Sequence, residues 1–345
     1  MAPLSATWSR IASSQRLERS SQCLAVAGSQ AWIFGGELVP RQPVDNQVDV
    51  VRLGSSNDRP AATETLSAST SSSSPTPRVG ASLVTVKDKL YLFSGRGGLE
   101  MTPIEEKGAL WAYTPDDNTW ELLAPSDPSA PYPCGRSYHA AAAASDSSLF
   151  IHAGCPENGR LADLWRFDPE TKTWTELPSA PAPARGGPSI AVYNGKLYRM
   201  NGFDGVTEQG GAIDIYDITQ KVWLPSVRFQ PDGHEGPEPR SVSALVALVI
   251  ADRGFLLTMF GERDPSALGH MGAGKMLGDL WAFDIEQEEW ANLEFQGDTT
   301  PAPRGWFDAD VLRDEDGSNA VIVHGGLAED TSRLGDVWKL QVNSR

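Results

Sequence analysis

One unit recurs along this chain, and it limits the possible folds more than any other feature. The segments GALWAYTPDDNTWELL (108–123), GRLADLWRFDPETKTWTEL (159–177), MLGDLWAFDIEQEEWANL (276–293) and RLGDVWKL (333–340) share one order. A short Trp-bearing strand leads into an Asp-rich turn, and in the first three a second Trp-bearing strand follows. Upstream stand the apolar runs WIFGG, YLFSG, FIHAG, YRMNG, LTMFG and VIVHGG. They close on Gly36, Gly95, Gly154, Gly202, Gly261 and Gly326, spaced by 59, 59, 48, 59 and 65 residues. Each run is preceded by an Arg-led strand, beginning at Arg19, Arg78, Arg136, Arg185, Arg240 and Arg304.

A period of about 50 residues with closing glycines and a downstream Trp is the signature of the kelch repeat, in which one repeat builds one four-stranded blade. Six units predict an all-β fold, a six-bladed β-propeller occupying residues 1–345 as a single domain. A sandwich would not account for the fixed order of Arg, Gly and Trp. The last repeat ends at RLGDVWKLQVNSR without a fourth strand, whereas ATWSRIA (6–12) resembles the outer strands TWTEL and EWANL. The N-terminal segment is therefore expected to complete blade six, closing the ring and removing an edge. Residues 55–77, rich in Ser, Thr and Pro, break the pattern and read as a mobile insert between blades one and two.

The net charge of −16 and the low pI argue against nucleic acid or an anionic membrane as partner, since both require a basic footprint. No apolar run reaches membrane-spanning length, and MAPLSATWSR has no secretory pattern, so the expected location is cytoplasmic. Cys23, Cys134 and Cys155 are widely separated, an odd number, and suggest neither a disulfide framework nor a zinc site. The expected partner is a small-molecule substrate, with a homodimer as the oligomeric option.

In such a blade the end of the second strand and the start of the first lie on one face of the disk. Glu37, Arg96, Arg160, Asp204, the run Glu262 to His270, and Leu327 onward are thereby placed around one mouth of the channel. Mixed charge with Tyr132, Tyr138 and Trp306 nearby suits a funnel for a polar small molecule. The six leading arginines recur in every blade, which favours a structural role for most of them. His152 and His324 hold equivalent positions in the second strands and read as structural too.

The stretches ERSSQCLAVAGSQAWIFGGELVPRQPVDN, GRLADLW, RGGPSIAVYNGKLY, GERDPSALGHMGAG and PRGWFDA resemble the plant specifier proteins, the nitrile-, thiocyanate- and epithio-specifier family. The resemblance covers nearly the whole chain apart from 55–77. It implies a six-bladed kelch propeller that steers rearrangement of an unstable intermediate with ferrous iron, held by a Glu-x3-Asp-x3-His motif. By position Glu262 and His270 match the ends of that motif and Ser266 stands at its centre, with Asp264 as a substitute carboxylate. The resemblance also makes Arg96 and Arg160 substrate-facing arginines and Trp306 a pocket tryptophan.

The expected function is a lyase, isomerase or cyclase of specialised metabolism acting on a reactive intermediate. Glu262, Asp264 and His270 would bind Fe(II) or act as acid and base; Glu37, Arg96, Arg160, Asp204 and Trp306 would bind substrate. A carboxylic acid with a raised pKa at the mouth would allow acid-assisted cyclisation without metal. The alternative is a non-catalytic kelch scaffold that binds a protein. A radical copper oxidase would need a Tyr–Cys crosslink and two histidine ligands, and no such constellation is visible in the sequence.

Overall fold

The computed structural model describes residues 4–54, 61–67, 73–144, 147–269, 272–297, 299–313 and 319–344. Six antiparallel sheets form the blades of a propeller, and their innermost strands adjoin one another in a closed circle. From inside outward, blade one is Ser20–Ala27, Gln30–Val39, Val48–Arg52 and Thr63–Leu66. Blade two is Ser82–Val86, Lys89–Phe93, Leu110–Thr114 and Thr119–Leu123. Blade three is Ala140–Ala143, Leu149–Gly154, Leu161–Asp168 and Thr173–Leu177. Blade four is Ser189–Tyr193, Lys196–Met200, Ala212–Asp217 and Val222–Arg228. Blade five is Ala244–Ile250, Arg253–Met259, Leu280–Asp284 and Glu289–Asn292. Among the described residues no helix is long and apolar enough to cross a membrane.

Blade six closes the ring as the sequence predicts. Asp308–Arg313, Asn319–His324 and Asp336–Ser344 come from the C-terminal end, and Leu4–Ser13 supplies the fourth strand. The register pairs Ala6 with Val342 and Ala12 with Val337. Trp8 is buried in the seam between blades five and six, edge-on to Trp338 at 6.4 Å and tilted against Phe260 at 5.7 Å. The other outer-strand tryptophans pack alike. Trp120 lies on Tyr113 of its own blade and Phe34 of the preceding one, and Trp174 on Phe167 and Phe93. The repeated Trp is thus the piece that fastens each blade to its neighbour.

The repeated arginine and glycine serve the same end. Every leading arginine is buried, and all but one bind a carboxylate ahead of or within the third strand of their blade. Arg136 grips Asp163 (2.7 and 2.8 Å), Arg240 grips Asp279 (2.6 and 2.8 Å) and Arg304 grips Asp336 (2.7 and 3.0 Å). Those carboxylates also accept the indole N–H of Trp165, Trp281 and Trp338, two residues on, which explains the Asp-x-Trp motif. In blade four, Asp214 is bound by Arg199 instead (2.7 Å), and Arg185 donates to the Asn201 carbonyl (3.0 Å). Each closing glycine donates its N–H to the leading arginine's carbonyl in the next blade, from Gly36 to Arg78 (2.9 Å) round to Gly326 to Arg19 (2.9 Å). These glycines have φ between +90° and +106°, where only glycine sits without strain. The leading arginines therefore belong to the interior, beneath the mouth.

Residues 55–77 require a correction. Thr63–Leu66 is not a loop but the outer strand of blade one, pairing Val48 with Leu66 and Val51 with Thr63. The outermost strand of a blade has one free edge and needs chiefly backbone partners, so polar TETL serves there without a tryptophan. Residues 55–60 and 68–72 lie outside the described residues.

Where blade six meets blade one, carboxylates stitch the channel wall. Asp308 accepts the Leu24 N–H (2.7 Å) and Asp310 the Val26 N–H (2.8 Å). Burial pushes the Asp308 carboxyl up to about 7, against the Leu24 and Ala309 amides, and nearby Asp310 pushes it further. The folded state then holds a proton that the unfolded chain releases near pH 4, so this group lowers stability as pH rises from about 4 to 7. Relative to wild type, Asp308→Asn is expected to gain roughly 1.4 kcal/mol per pH unit across that window, read from urea denaturation at several pH values. A constant difference between the two proteins would refute it.

Candidate functional site

Two residues after each leading arginine stand Ser21, Gly80, Tyr138, Gly187, Val242 and Trp306. All six have φ between +45° and +60°, and their backbones form a closed circle of hydrogen bonds. Ser21 donates to Trp306 (2.7 Å), Trp306 to Val242 (3.2 Å), Val242 to Gly187 (3.0 Å), Gly187 to Tyr138 (2.7 Å), Tyr138 to Gly80 (2.7 Å) and Gly80 to Ser21 (2.8 Å). A β-branched valine and two bulky aromatics in the left-handed region are strained, which the circle imposes and sustains. Tyr138, Gly187, Val242 and Trp306 border both the central channel, a cavity of about 400 Å3, and a second cavity of about 300 Å3 at the mouth. The circle is the floor of the mouth cavity.

Blades two to six build the walls of that cavity. Arg96 and Arg160 lie on one side, Glu208 and Glu262 belong to the blade four and five connections, and Tyr138, Phe203 and Trp306 give aromatic faces. Tyr138 and Trp306 meet edge to face at 5.1 Å. Burial raises the Glu262 carboxyl above its ordinary range, while the Gly274 amide and the Trp306 side chain act against it. Its Oε1 accepts the Gly274 N–H at 2.6 Å, so the group is fixed in orientation. Burial also raises Glu208, and the negative charge of Glu262 adds to the effect. Two carboxyls therefore share one cavity and each disfavours ionisation of the other.

The arginines differ. Arg96 is tied on every nitrogen: Nε to Ser137 Oγ (2.9 Å), Nη1 to the Met101 carbonyl (3.2 Å) and Nη2 to the Pro156 carbonyl (3.1 Å). It clamps blade two to blade three and offers the cavity mainly its charge. Among the described residues Arg160 bonds only the Gly159 carbonyl, through Nη1 (2.8 Å), with its guanidinium over the Phe203 ring at 6.0 Å. It is the more available of the two.

Of the residues singled out from sequence, Arg96, Arg160, Glu262, Ser266 and Trp306 line this cavity. Glu37 is buried at blade one, accepting the Arg41 amide (2.6 Å) and facing Arg333 (3.6 Å). Asp204 caps its own turn, accepting the Val206 and Thr207 amides (2.7 and 2.8 Å) and the Gln209 side chain (2.9 Å). Asp264 is exposed and paired with Arg263 (3.1 Å). These three do not reach the cavity because local backbone amides or a neighbouring arginine already hold them. His270 lies outside the described residues. Among the described residues no three His, Cys, Asp or Glu groups converge; Asp264 is turned outward, and the expected Glu–Asp–His set for ferrous iron includes His270, outside those residues. Glu208, Phe203 and Cys155 were not anticipated. The usable signal for Glu208 was its place on the strand that returns from the Phe203 turn, to which it is bridged.

His139, His152 and His324 take no part in this cavity. Burial holds all three well below the ordinary imidazole range, and His152 and His324 bond the Asp163 and Leu17 carbonyls (2.8 and 3.0 Å).

The KLHDC2/KLHL20/DRC7 Kelch-repeats domain matches residues 20–261 and 133–317. The chain is 27% identical to an N-(sulfonatooxy)prop-2-enimidothioate sulfolyase of Thlaspi arvense, covering 94% of this chain and 93% of that protein. It is 26% identical to acyl-CoA-binding domain-containing protein 4 of Arabidopsis thaliana over 74% of this chain, spanning 36% of that relative. The solved structure of YjhT superposes with a TM-score of 0.68 at 14% identity, covering 96% of this chain and 99% of that one. With blades, the contacts that join them and the matches in agreement, the chain belongs to the kelch-repeat family as a six-bladed β-propeller resembling the specifier proteins.

Proposed function

We propose that the mouth cavity is the active site of a small-molecule enzyme of the lyase, isomerase or cyclase type. The observation that carries the reading is the convergence of a fixed, buried Glu262 with Arg160 and Arg96 in an aromatic-walled cavity that has a closed floor. Arg160, with the charge of Arg96 behind it, holds an oxygen-rich or anionic group of the substrate. Protonated Glu262 gives its proton to a departing hydroxyl, which leaves as water. The cation so formed is captured by a nucleophile within the same molecule, whose released proton returns to Glu262. The steps are redox-neutral and none runs through a metal. The likeness to a sulfolyase supports a reaction of this class at the family level.

The test offers the purified protein two kinds of substrate: the N-(sulfonatooxy)prop-2-enimidothioate named for its Thlaspi relative, and tertiary or benzylic alcohols bearing an internal nucleophile. Products are read by mass spectrometry. A shifted product distribution is expected with wild type, reduced about 10²- to 10⁴-fold in Glu262→Gln at an unchanged melting temperature. Product distributions equal to those without protein, or undiminished in Glu262→Gln, would remove the catalytic reading. A protein-binding scaffold is the second reading, favoured by exposed aliphatics on the mouth-side connections, Leu38, Leu99, Val206 and Leu268.

A further inference from the structure

Tyr138 is the one large side chain in its half of the circle that floors the mouth cavity. Its neighbours there are Ser21, Gly80 and Gly187, and the opposite half carries Val242 and Trp306. The Tyr138 ring lies over Gly80, where an added Cβ would stand 2.9 Å from two ring carbons, and its hydroxyl donates toward Ser21 Oγ (3.4 Å). The ring therefore reaches from blade three across blade two to blade one. Trp306 of blade six meets it edge to face at 5.1 Å, and Val242 leans over Gly187, where an added Cβ would meet Val242 Cγ1 at 2.9 Å. All three residues are partly exposed, and each borders both the channel of about 400 Å3 and the mouth cavity of about 300 Å3. They are the partition between the two spaces. The backbone at Tyr138 has φ +51°, a conformation that blades two and four fill with glycine at no steric cost. A bulky ring held in that strained position, where glycine would serve the circle equally well, points to a task for the ring itself.

We propose, resting on the mouth cavity being a small-molecule site, that Tyr138 is a specificity-determining residue. Its ring caps the depth of the cavity and restricts ligands to compact ones, while the channel behind it is a second compartment held shut. A ligand with its anionic end at Arg160 and its ring beside Phe203 extends inward only until it meets the Tyr138 face. A chain added at that end strikes a packed aromatic wall, and Gly80 lies too close behind the ring for it to retreat. With the ring removed, the circle on that side holds nothing larger than the Ser21 hydroxymethyl group. An apolar chain then passes into the channel, whose wall includes Leu24, Leu83 and Ile190. Arg160 and Glu262 decide which groups the ligand carries, and Tyr138 decides how far it reaches.

The experiment titrates 4-methyl-, 4-butyl- and 4-octylbenzoate into the full chain, with binding read by ligand-observed NMR at concentrations where the probes are monomeric. In wild type the octyl member is expected to bind no more tightly than the butyl member, a limit that is read without any variant. Tyr138→Gly and Tyr138→Asn both suit the left-handed backbone. In them affinity should keep rising, by about fourfold for each methylene that enters the channel, so that the octyl member gains about tenfold or more over wild type. Phe203 borders the mouth cavity and not the channel, so Phe203→Ala should keep the wild-type limit. Arg160→Met should weaken all three probes by a similar factor and leave the limit in place. Three results would each overturn the proposal while leaving the cavity a small-molecule site: octylbenzoate binding wild type about tenfold more tightly than butylbenzoate, an unchanged limit in a folded Tyr138 variant, or an equal release in Phe203→Ala. Saturable binding of none of the probes to any of these proteins would remove both the proposal and the enzymatic reading.

Discussion

Deleting residues 1–13 is expected to lower unfolding free energy by at least ~5 kcal/mol and the melting temperature by about 10 °C or more. The strand Leu4–Ser13 pairs with Asp336–Ser344 from end to end, and it carries Trp8 into the seam between blades five and six. Removing a buried Trp alone costs about 3–5 kcal/mol, and the pairing of a ten-residue strand is lost with it. Because Trp8 touches Phe260 as well as Trp338, the damage reaches the connection that carries Glu262, two residues beyond Phe260. The exposed edge of Asp336–Ser344 would also promote association. Thermal and urea melts of the truncated chain test this, and a synthetic 4–13 peptide added in trans should restore part of the loss. A melt equal to wild type would show that the ring does not depend on this strand.

The architecture was legible because each repeated residue has one job that recurs in every blade. Leading arginine, closing glycine and Asp-x-Trp all prove to be parts of one belt, so their spacing carries the fold. Blade one's outer strand was illegible for the converse reason. Thr63–Leu66 holds its place through backbone pairing and leaves no apolar mark. The mouth cavity was legible only in part. Glu262 follows its closing glycine at the tip of a second strand, and Arg160 stands later in the corresponding blade-three connection, just before the third strand; the repeat frame locates both. Asp204 and Asp264 share that frame, yet their carboxylates are taken up by local amides and by Arg263, which no spacing rule reveals. Glu208 reaches the cavity from the return side of the blade-four connection, at the position held by Pro43, Pro103, Met276 and Arg333 in other blades, so no shared residue type marks it. The circle of left-handed residues was hidden because it is made by backbone and tolerates Ser, Gly, Tyr, Val and Trp at one position.

Arg240→Ala is expected to cost about 3–5 kcal/mol, whereas Arg160→Ala should cost about 1 kcal/mol or less, although both arginines were drawn to the same mouth by the repeat frame. Arg240 is fully buried and ties three strands of blade five together. It donates to the Glu238 carbonyl ahead of the first strand (3.0 Å), to the Phe260 carbonyl after the second (3.0 Å) and to Asp279 ahead of the third. Its own carbonyl receives the Gly202 N–H of blade four (2.8 Å). Truncation leaves the partly buried Asp279 beside Trp281 with its main counter-charge gone, and the cost of a poorly hydrated, uncompensated charge dominates. That reasoning makes a sharper demand on a pair of substitutions. Arg240→Met combined with Asp279→Leu removes both charges, so it should recover much of the loss caused by Arg240→Ala alone. Among the described residues Arg160 has one bond, to its own neighbour's carbonyl, and no carboxylate partner to abandon, so its removal should weaken ligand binding and spare the melt. Urea denaturation of the four proteins decides the matter. If Arg160→Ala were as destabilising as Arg240→Ala, Arg160 would belong to the belt and its place as a ligand-binding residue would fall.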